Sequence, residues 1–461
     1  MPKTATLLPP GPKGLPIVGN ALQFQRNPLQ FVRKMQTTYG NMATIHLGGS
    51  PIVLLFRPEY IRYVLTEQPK NFTKANRRGG PNLRAFLGDG LLTIEGDFHR
   101  QQRRLVQPAF HKRRVESYAD TMVQQTQEML AGWQAGTELN IASAMQQLTL
   151  RIIAKTLFNV ESHTLIAELG QAFTDVIENP IRTLSGLKVV RLPFQASGES
   201  KNAAGRRTLD EFIYGLIAER RADGRDVGDV LSMLLAAQDE GNSMTDKQVH
   251  DQVLTFVAAG HETAQNTLSW TFYLLSQHPQ VRDKLLAELQ TVLAGRAPAV
   301  EDLTYLPYLE WVMNESWRVF PPAWIQGRTA IAAFDLAGYH FPAGSIFMLS
   351  QWVLHHEPEI WGDPDAFRPE RWDPARGEKE KVPQWAYFPF GGGPRICIGM
   401  PFAQMETKLL LATILQQYVP RLVPGFPAVP QPRITLRPKY GMRMILESSV
   451  VAMGKHSTSL T

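Results

Sequence analysis

The stretch from Thr245 to Pro279 limits what this chain can fold into more than any other part of it. Thr245 stands where a side chain can accept from the first helical turn, Gln248 holds the reciprocal capping-box position, and Pro279 closes the far end. The spacing predicts one helix of about nine turns, or roughly 45–50 Å. A rod of that length crosses a whole domain, so the remaining elements have to pack around it.

Helical periodicity extends from about Glu95 to Gln290, with breaks expected at "QASGESKNAAG" (195–205) and "ADGRDVGD" (222–229). Another helix is expected through "LEWVMNESWRVF", stopped by Pro321 and Pro322, and one more from Met400 to Tyr418. Strand-like runs occupy about 40–75, 325–350 and 433–447, the first of them a hairpin around Gly48 and Gly49. The proline- and glycine-rich opening, "LLPPGPKGLPIVGN", favours an extended strap. The fold class is therefore mainly α with a minor β part. Length alone suggests about two or three domains, but no long flexible linker divides the chain, and residues 1–461 read as one domain.

Hydrophobic residues at 44% and aromatics at 9% are enough to fill a large core. The N-terminus has neither a signal-peptide pattern nor an apolar run near the roughly 20 residues a spanning helix needs, so a cytoplasmic location is expected. A net charge of +6 is compatible with a nucleic acid, an anionic membrane or an acidic protein partner, and does not choose among them.

Cys397 is the only cysteine. An intramolecular disulfide and any zinc site needing two thiolates are excluded, which leaves buried filler, a nucleophile or a metal ligand. Its position three residues before the expected helix start at Met400 favours thiolate, because free N–H groups and partial positive charge collect there. Gly391, Gly392, Gly393 and Gly399 let the backbone approach something flat and bulky, and Arg395 adds a cation nearby. The glycines fit no dinucleotide fingerprint, since Ile396 stands where a glycine is needed, and "HETAQ" fails as a zinc-peptidase motif because Gln265 replaces the second histidine. Within the long helix, Glu262 and Thr263 place an acid and an alcohol in otherwise apolar surroundings, an expensive arrangement without a use. Glu315 and Arg318 are spaced to pair on one helix face, as are His99 and Arg103 to point the same way.

"FGGGPRICIG" resembles the FxxGxRxCxG loop of the cytochromes P450 through Phe390, Gly393, Arg395, Cys397 and Gly399, and the other motifs of that family stand before it in the expected order. The resemblance implies the family's fold, with the long central helix over haem and the cysteine loop on the opposite face. It implies haem b (iron protoporphyrin IX) with Cys397 as axial thiolate and metal ligand, and O2 as co-substrate. "AAGHETA" resembles the oxygen-activation segment, with Gly260 beside the iron and Glu262 and Thr263 as catalytic acid and alcohol. His99, Arg103, Arg328 and Arg395 are implied as propionate partners, with Phe390, Gly391 and Gly399 around the cofactor. "FRPERW" resembles the segment that brings Arg371 to Glu315 and Arg318 in a structural role.

The implied reaction is monooxygenation, with a peroxide-driven enzyme and a non-catalytic haem sensor or electron carrier as alternatives. Leu87, Leu91, Leu92, Phe256, Ala259, Ala323, Trp324 and Ile325 are expected to line an apolar substrate pocket. "FLGDGLLT" and "AGHET" are most similar to fatty-acid hydroxylases, with a terpenoid close behind. The basic run with Arg100, Arg104, Lys112, Arg113 and Arg114 is expected to dock a separate ferredoxin- or flavodoxin-type electron donor rather than nucleic acid.

Overall fold

Helix Asp246–Gln277 runs uninterrupted through the middle of the molecule. The computed structural model describes residues 8–47, 50–74, 83–178, 196–239 and 241–449. The helix is capped as its sequence requires: the Gln248 amide donates to Thr245 Oγ1 at 3.2 Å and the Thr245 amide donates to Gln248 Oε1 at 2.9 Å. With the long helix as α4, the other helices around the site are, in chain order, α1 (Gly96–Val106), α2 (Ile141–Phe158), α3 (Ala196–Asp223), α5 (Pro307–Val319) and α6 (Met400–Leu415). The largest apolar cluster surrounds α4 and includes Ile153, Leu209, Val257, Trp270, Val312 and Leu410.

Strands β1 (Met42–Leu47), β2 (Ser50–Leu55), β3 (Phe72–Lys74), β4 (Gln326–Ala330) and β5 (Ile346–Leu349) form one sheet in the order β1-β2-β5-β4-β3. Only β2 and β5 run parallel; the other neighbours are antiparallel. Pairing of Leu47 with Ser50 closes the expected hairpin, although Gly48 and Gly49 themselves lie outside the described residues. Among the described residues no helix is long and apolar enough to cross a membrane.

Three expectations need correction. The break expected at 195–205 is absent from 196 onward, because α3 is continuous there. Leu209, Ile213 and Ile217 bury one helical stripe, and packing of that stripe outweighs the weak propensity of the glycines. The break at 222–229 does occur, and Asp229 caps the next helix by accepting from the Ser232 amide at 2.8 Å. Helix α6 ends at Leu415 rather than Tyr418, since Tyr418–Leu422 pairs with Arg443–Ser448. Glu138–Asn140 adds a third strand to that pair from within the helical block, too short to show a period of its own.

Candidate functional site

Cys397 lies between a 3-10 turn, Gly393–Arg395, and the start of α6 at Met400. The glycines before it do not all serve the same purpose. A Cβ on Gly393, whose φ is +63°, would stand 1.8 Å from the Leu65 carbonyl oxygen, and one on Gly392 would stand 2.0 Å from the Trp385 ring. These two seat the loop on the protein behind it, where the sequence suggested clearance for a flat group. Gly391 needs its positive φ of +72°, while a Cβ on Gly399 would meet only the Phe110 ring at 3.9 Å, so Gly399 borders open space. Phe110 also meets Phe256 of α4 edge-on at 5.1 Å, so a single ring spans from the cysteine loop to the long helix.

The Cys397 side of this gap is electrostatically unusual. Burial pushes the Cys397 thiol up overall, contrary to the thiolate preference expected from its place before a helix, because the hydrogen bond from the Gly399 amide and the charges of Arg103 and Lys74 only partly offset the loss of water. The residue is nevertheless exposed, as is Ala259 in the middle of α4 between half-buried Ala258 and Gly260, which marks internal space rather than outer surface. Lys74 and Arg328 are directly opposed across β3 and β4, a placement of like charges that a sheet ordinarily avoids. Burial first, then Arg395 and Arg328, bring Lys74 down to about 7, against the pull of Glu95 and Cys397. Burial and Arg395 lower Arg328 to about 10. Burial, Arg395, Lys74 and Arg103 push His99 down to about 3, so this ring is neutral beside the unanswered cations.

One carboxylate, Glu95, answers these cations. It pairs with Arg395 and accepts from the Lys74 amide at 2.8 Å. The other donors rest on neutral oxygens: Lys74 Nζ on Leu92 O at 2.7 Å, Arg395 Nη2 on Ile94 O at 2.8 Å, Arg103 Nη1 on Ile396 O at 2.9 Å, and Arg328 on Gly327 O at 2.9 Å and Gln326 Oε1 at 3.1 Å. A desolvated cluster with such an excess of positive charge, beside a lone cysteine and an internal space, fits a flat group carrying two carboxylates. Sequence reading missed Lys74 and Glu95; the pairing of Lys74 with Arg328 exists only once the sheet has formed.

On α4, Thr263 Oγ1 donates to Ala259 O at 2.8 Å, and Glu262 Oε1 accepts from Thr435 Oγ1 at 2.7 Å. Gly260 does more packing than the sequence implied, since a Cβ there would lie 2.7 Å from Ile153 Cδ1 of α2. Behind the cysteine loop, fully buried Glu315 accepts from Arg318 Nη2 at 2.8 Å and Nε at 2.9 Å, from Arg371 Nε at 2.9 Å, from Trp372 Nε1 at 2.9 Å and from the Arg368 amide at 3.1 Å. Glu315, Arg318 and Arg371 therefore meet as expected. Phe390 packs edge-on against Trp317, with centroids 5.1 Å apart.

The expected pocket wall divides. Leu87, Leu91 and Phe256 are buried, Leu92 and Ala323 half-buried, and Ala259 exposed. Trp324 and Ile325 belong instead to the core: Trp324 stacks on Phe24 and donates to Arg433 O at 2.9 Å, and Ile325 packs with it. The basic run is also less positive than its sequence suggests. Arg100 pairs with Asp97, Arg104 with Asp239 at 2.8 Å, Lys112 with Glu116 at 3.7 Å and Arg114 with Asp226 at 4.0 Å.

The sequence model of the cytochrome P450 family matches residues 9–441. Cyclooctatin synthase of Streptomyces melanosporofaciens is 37% identical over 435 residues, 92% of each chain. Cyclooctat-9-en-7-ol 5-monooxygenase of the same organism is 36% identical, covering 90% of each chain. Pentalenene oxygenase of Streptomyces avermitilis is 35% identical, covering 88% of this chain and 90% of its own. The solved structure of retinoic acid bound cyanobacterial CYP120A1 superposes with a TM-score of 0.84 at 28% identity, covering 96% of this chain and 100% of that one.

Proposed function

The chain belongs to the cytochrome P450 family and is a monooxygenase of that family, and from this premise we propose that it hydroxylates a terpenoid, with Cys397 as the residue that would hold haem b. The cation cluster beside Cys397 is the observation that carries the assignment of the site. Haem-thiolate chemistry supplies reductive activation of O2 and insertion of one oxygen atom into the substrate.

The protein's own residues supply the rest. Cys397 would hold the iron as thiolate, with the Gly399 amide donating to its sulfur. Arg103, Arg328, Arg395 and Lys74 would take the two carboxylates, which would relieve their mutual repulsion. Neutral His99 donates through a ring N–H. Phe390, Gly391 and Gly399 shape the loop around the sulfur. Glu315, Arg318 and Arg371 hold the scaffold beneath it. Thr263 holds a proton at Oγ1, and Glu262 resupplies it through its carboxyl group. Leu87, Leu91, Leu92, Phe256 and Ala259 exclude water and orient an apolar substrate.

Terpenoid-oxidising relatives favour a terpenoid over the fatty acid that "FLGDGLLT" suggests. Electrons come from a separate ferredoxin- or flavodoxin-type protein. With most of the basic run already paired, exposed Arg113 has no acidic partner among the described residues and is the strongest contact for an acidic donor.

The test is a carbon-monoxide difference spectrum of the reduced protein, then a spin-state titration with terpenes and fatty acids side by side. A strongly red-shifted Soret band that disappears in Cys397→Ala is expected, together with a spin shift from terpenes. Absence of that band in fully loaded wild-type protein overturns the thiolate assignment, and a response to fatty acids alone overturns the substrate class.

A further inference from the structure

The turn between Pro430–Pro432 and Leu436–Pro438 comes from the far end of the chain, yet it is fastened to the middle of α4. Trp270 Nε1 donates to Leu436 O at 2.9 Å, and the Leu436 amide donates to Pro322 O at 2.9 Å. So anchored, the turn brings buried Thr435 Oγ1 to 2.7 Å from Glu262 Oε1 and 3.0 Å from Nδ2 of fully buried Asn266.

The direction of these bonds follows from the groups themselves. A carboxylate only accepts and a threonine hydroxyl has one proton, so Thr435 donates to Glu262 and Asn266 donates to Thr435. Glu262 and Thr263 are neighbours in sequence and do not face each other on the helix. Thr263 is in any case bonded to Ala259 O. Nothing on α4 is thus bonded to the Glu262 carboxyl group among the contacts of the described residues, and Thr435 supplies the guide from outside.

Resting on the function proposed above, we infer that Thr435 is a positioning residue for Glu262, with Asn266 orienting its hydroxyl. A hydroxyl suits this task because it holds the acid in both charge states. It donates to the carboxylate, and it accepts from the protonated acid while still accepting from Asn266. Valine has nearly the same shape and can do neither; serine can do both.

The experiment uses the haem-loaded enzyme with Thr435→Val, Thr435→Ser and Glu262→Gln. Infrared difference spectra identify the Glu262 carboxyl band as the one missing in Glu262→Gln. That band is expected to move in Thr435→Val and to stay in place in Thr435→Ser. Product formed per O2 consumed should fall about fivefold in Thr435→Val, the equivalent of one hydrogen bond, with a pH profile approaching that of Glu262→Gln and rescue by serine. If valine does not fold, Thr435→Ala is judged by the same criteria. An unmoved Glu262 band with wild-type product yield, while the carbon-monoxide band is intact, overturns the inference. Loss of the carbon-monoxide band already in wild type overturns the functional reading on which it rests, and the inference with it.

Discussion

Lys74 should destabilise the haem-free protein and help to hold the haem, so Lys74→Met should act in opposite directions on the two forms. A fall from 10.5 to about 7 places an upper bound of about 5 kcal/mol on the cost of keeping this ammonium charged in the fold. The sign follows from proton counting. Between pH 7 and 10.5 the unfolded chain retains a proton that the folded haem-free protein has lost, so stability rises with pH across that window. The cost is fully present below pH 7 and is gone above 10.5. The slope from this one group is at most about 1.4 kcal/mol per pH unit. Urea unfolding of haem-free wild type and Lys74→Met at several pH values from 6 to about 9 isolates it, since other groups titrate in both. The variant is expected to be more stable than wild type at pH 6 and to lose that advantage as pH rises. In the loaded protein it should release haem faster, because a carboxylate loses a charge-assisted donor. Equal pH slopes in wild type and variant would refute this account of the site.

Glu315→Gln should cost about 3–5 kcal/mol and abolish stable haem incorporation, because an amide donor then faces two buried guanidinium groups; denaturant unfolding and haem content measure this. The Glu315 carboxyl is pushed up by burial but lies below its usual range overall, since Arg318, Arg371 and the Arg368 amide outweigh that effect. Its contribution is present above the unfolded carboxyl range and lost as pH falls through the folded one. Gly393→Ala should impair folding more than Gly391→Ala: the first drives a Cβ onto the Leu65 carbonyl, whereas the second pays only for its positive φ, about 1 kcal/mol. Their melting temperatures compare the two directly. Trp324→Ala should lose about 3–5 kcal/mol of stability while leaving the order of preferred substrates unchanged, which spin-state titration checks.

Much of this protein is legible in one dimension where the cause is local. The cap at Thr245, the closing proline at Pro279 and the start of α6 at Met400 all appear where the residues require them. The continuity of α3 is not legible, because its stabilising stripe of Leu209, Ile213 and Ile217 acts through neighbours the sequence does not display. Trp324 read as pocket because it stands near the right motif, but the stacking partner that makes it core, Phe24, lies three hundred residues away.

The sequence by itself determined the central helix, the mainly helical class, and the lone cysteine framed by glycines and an arginine, since capping, periodicity and spacing operate within a few residues. Tertiary structure alone decided what those features face. Pairing of β3 with β4 sets Lys74 against Arg328, the fold leaves Glu95 as their only carboxylate among the described residues, and a C-terminal turn carries Thr435 to Glu262. Desolvation and charge repulsion depend on distance through space, and only the closed chain sets those distances.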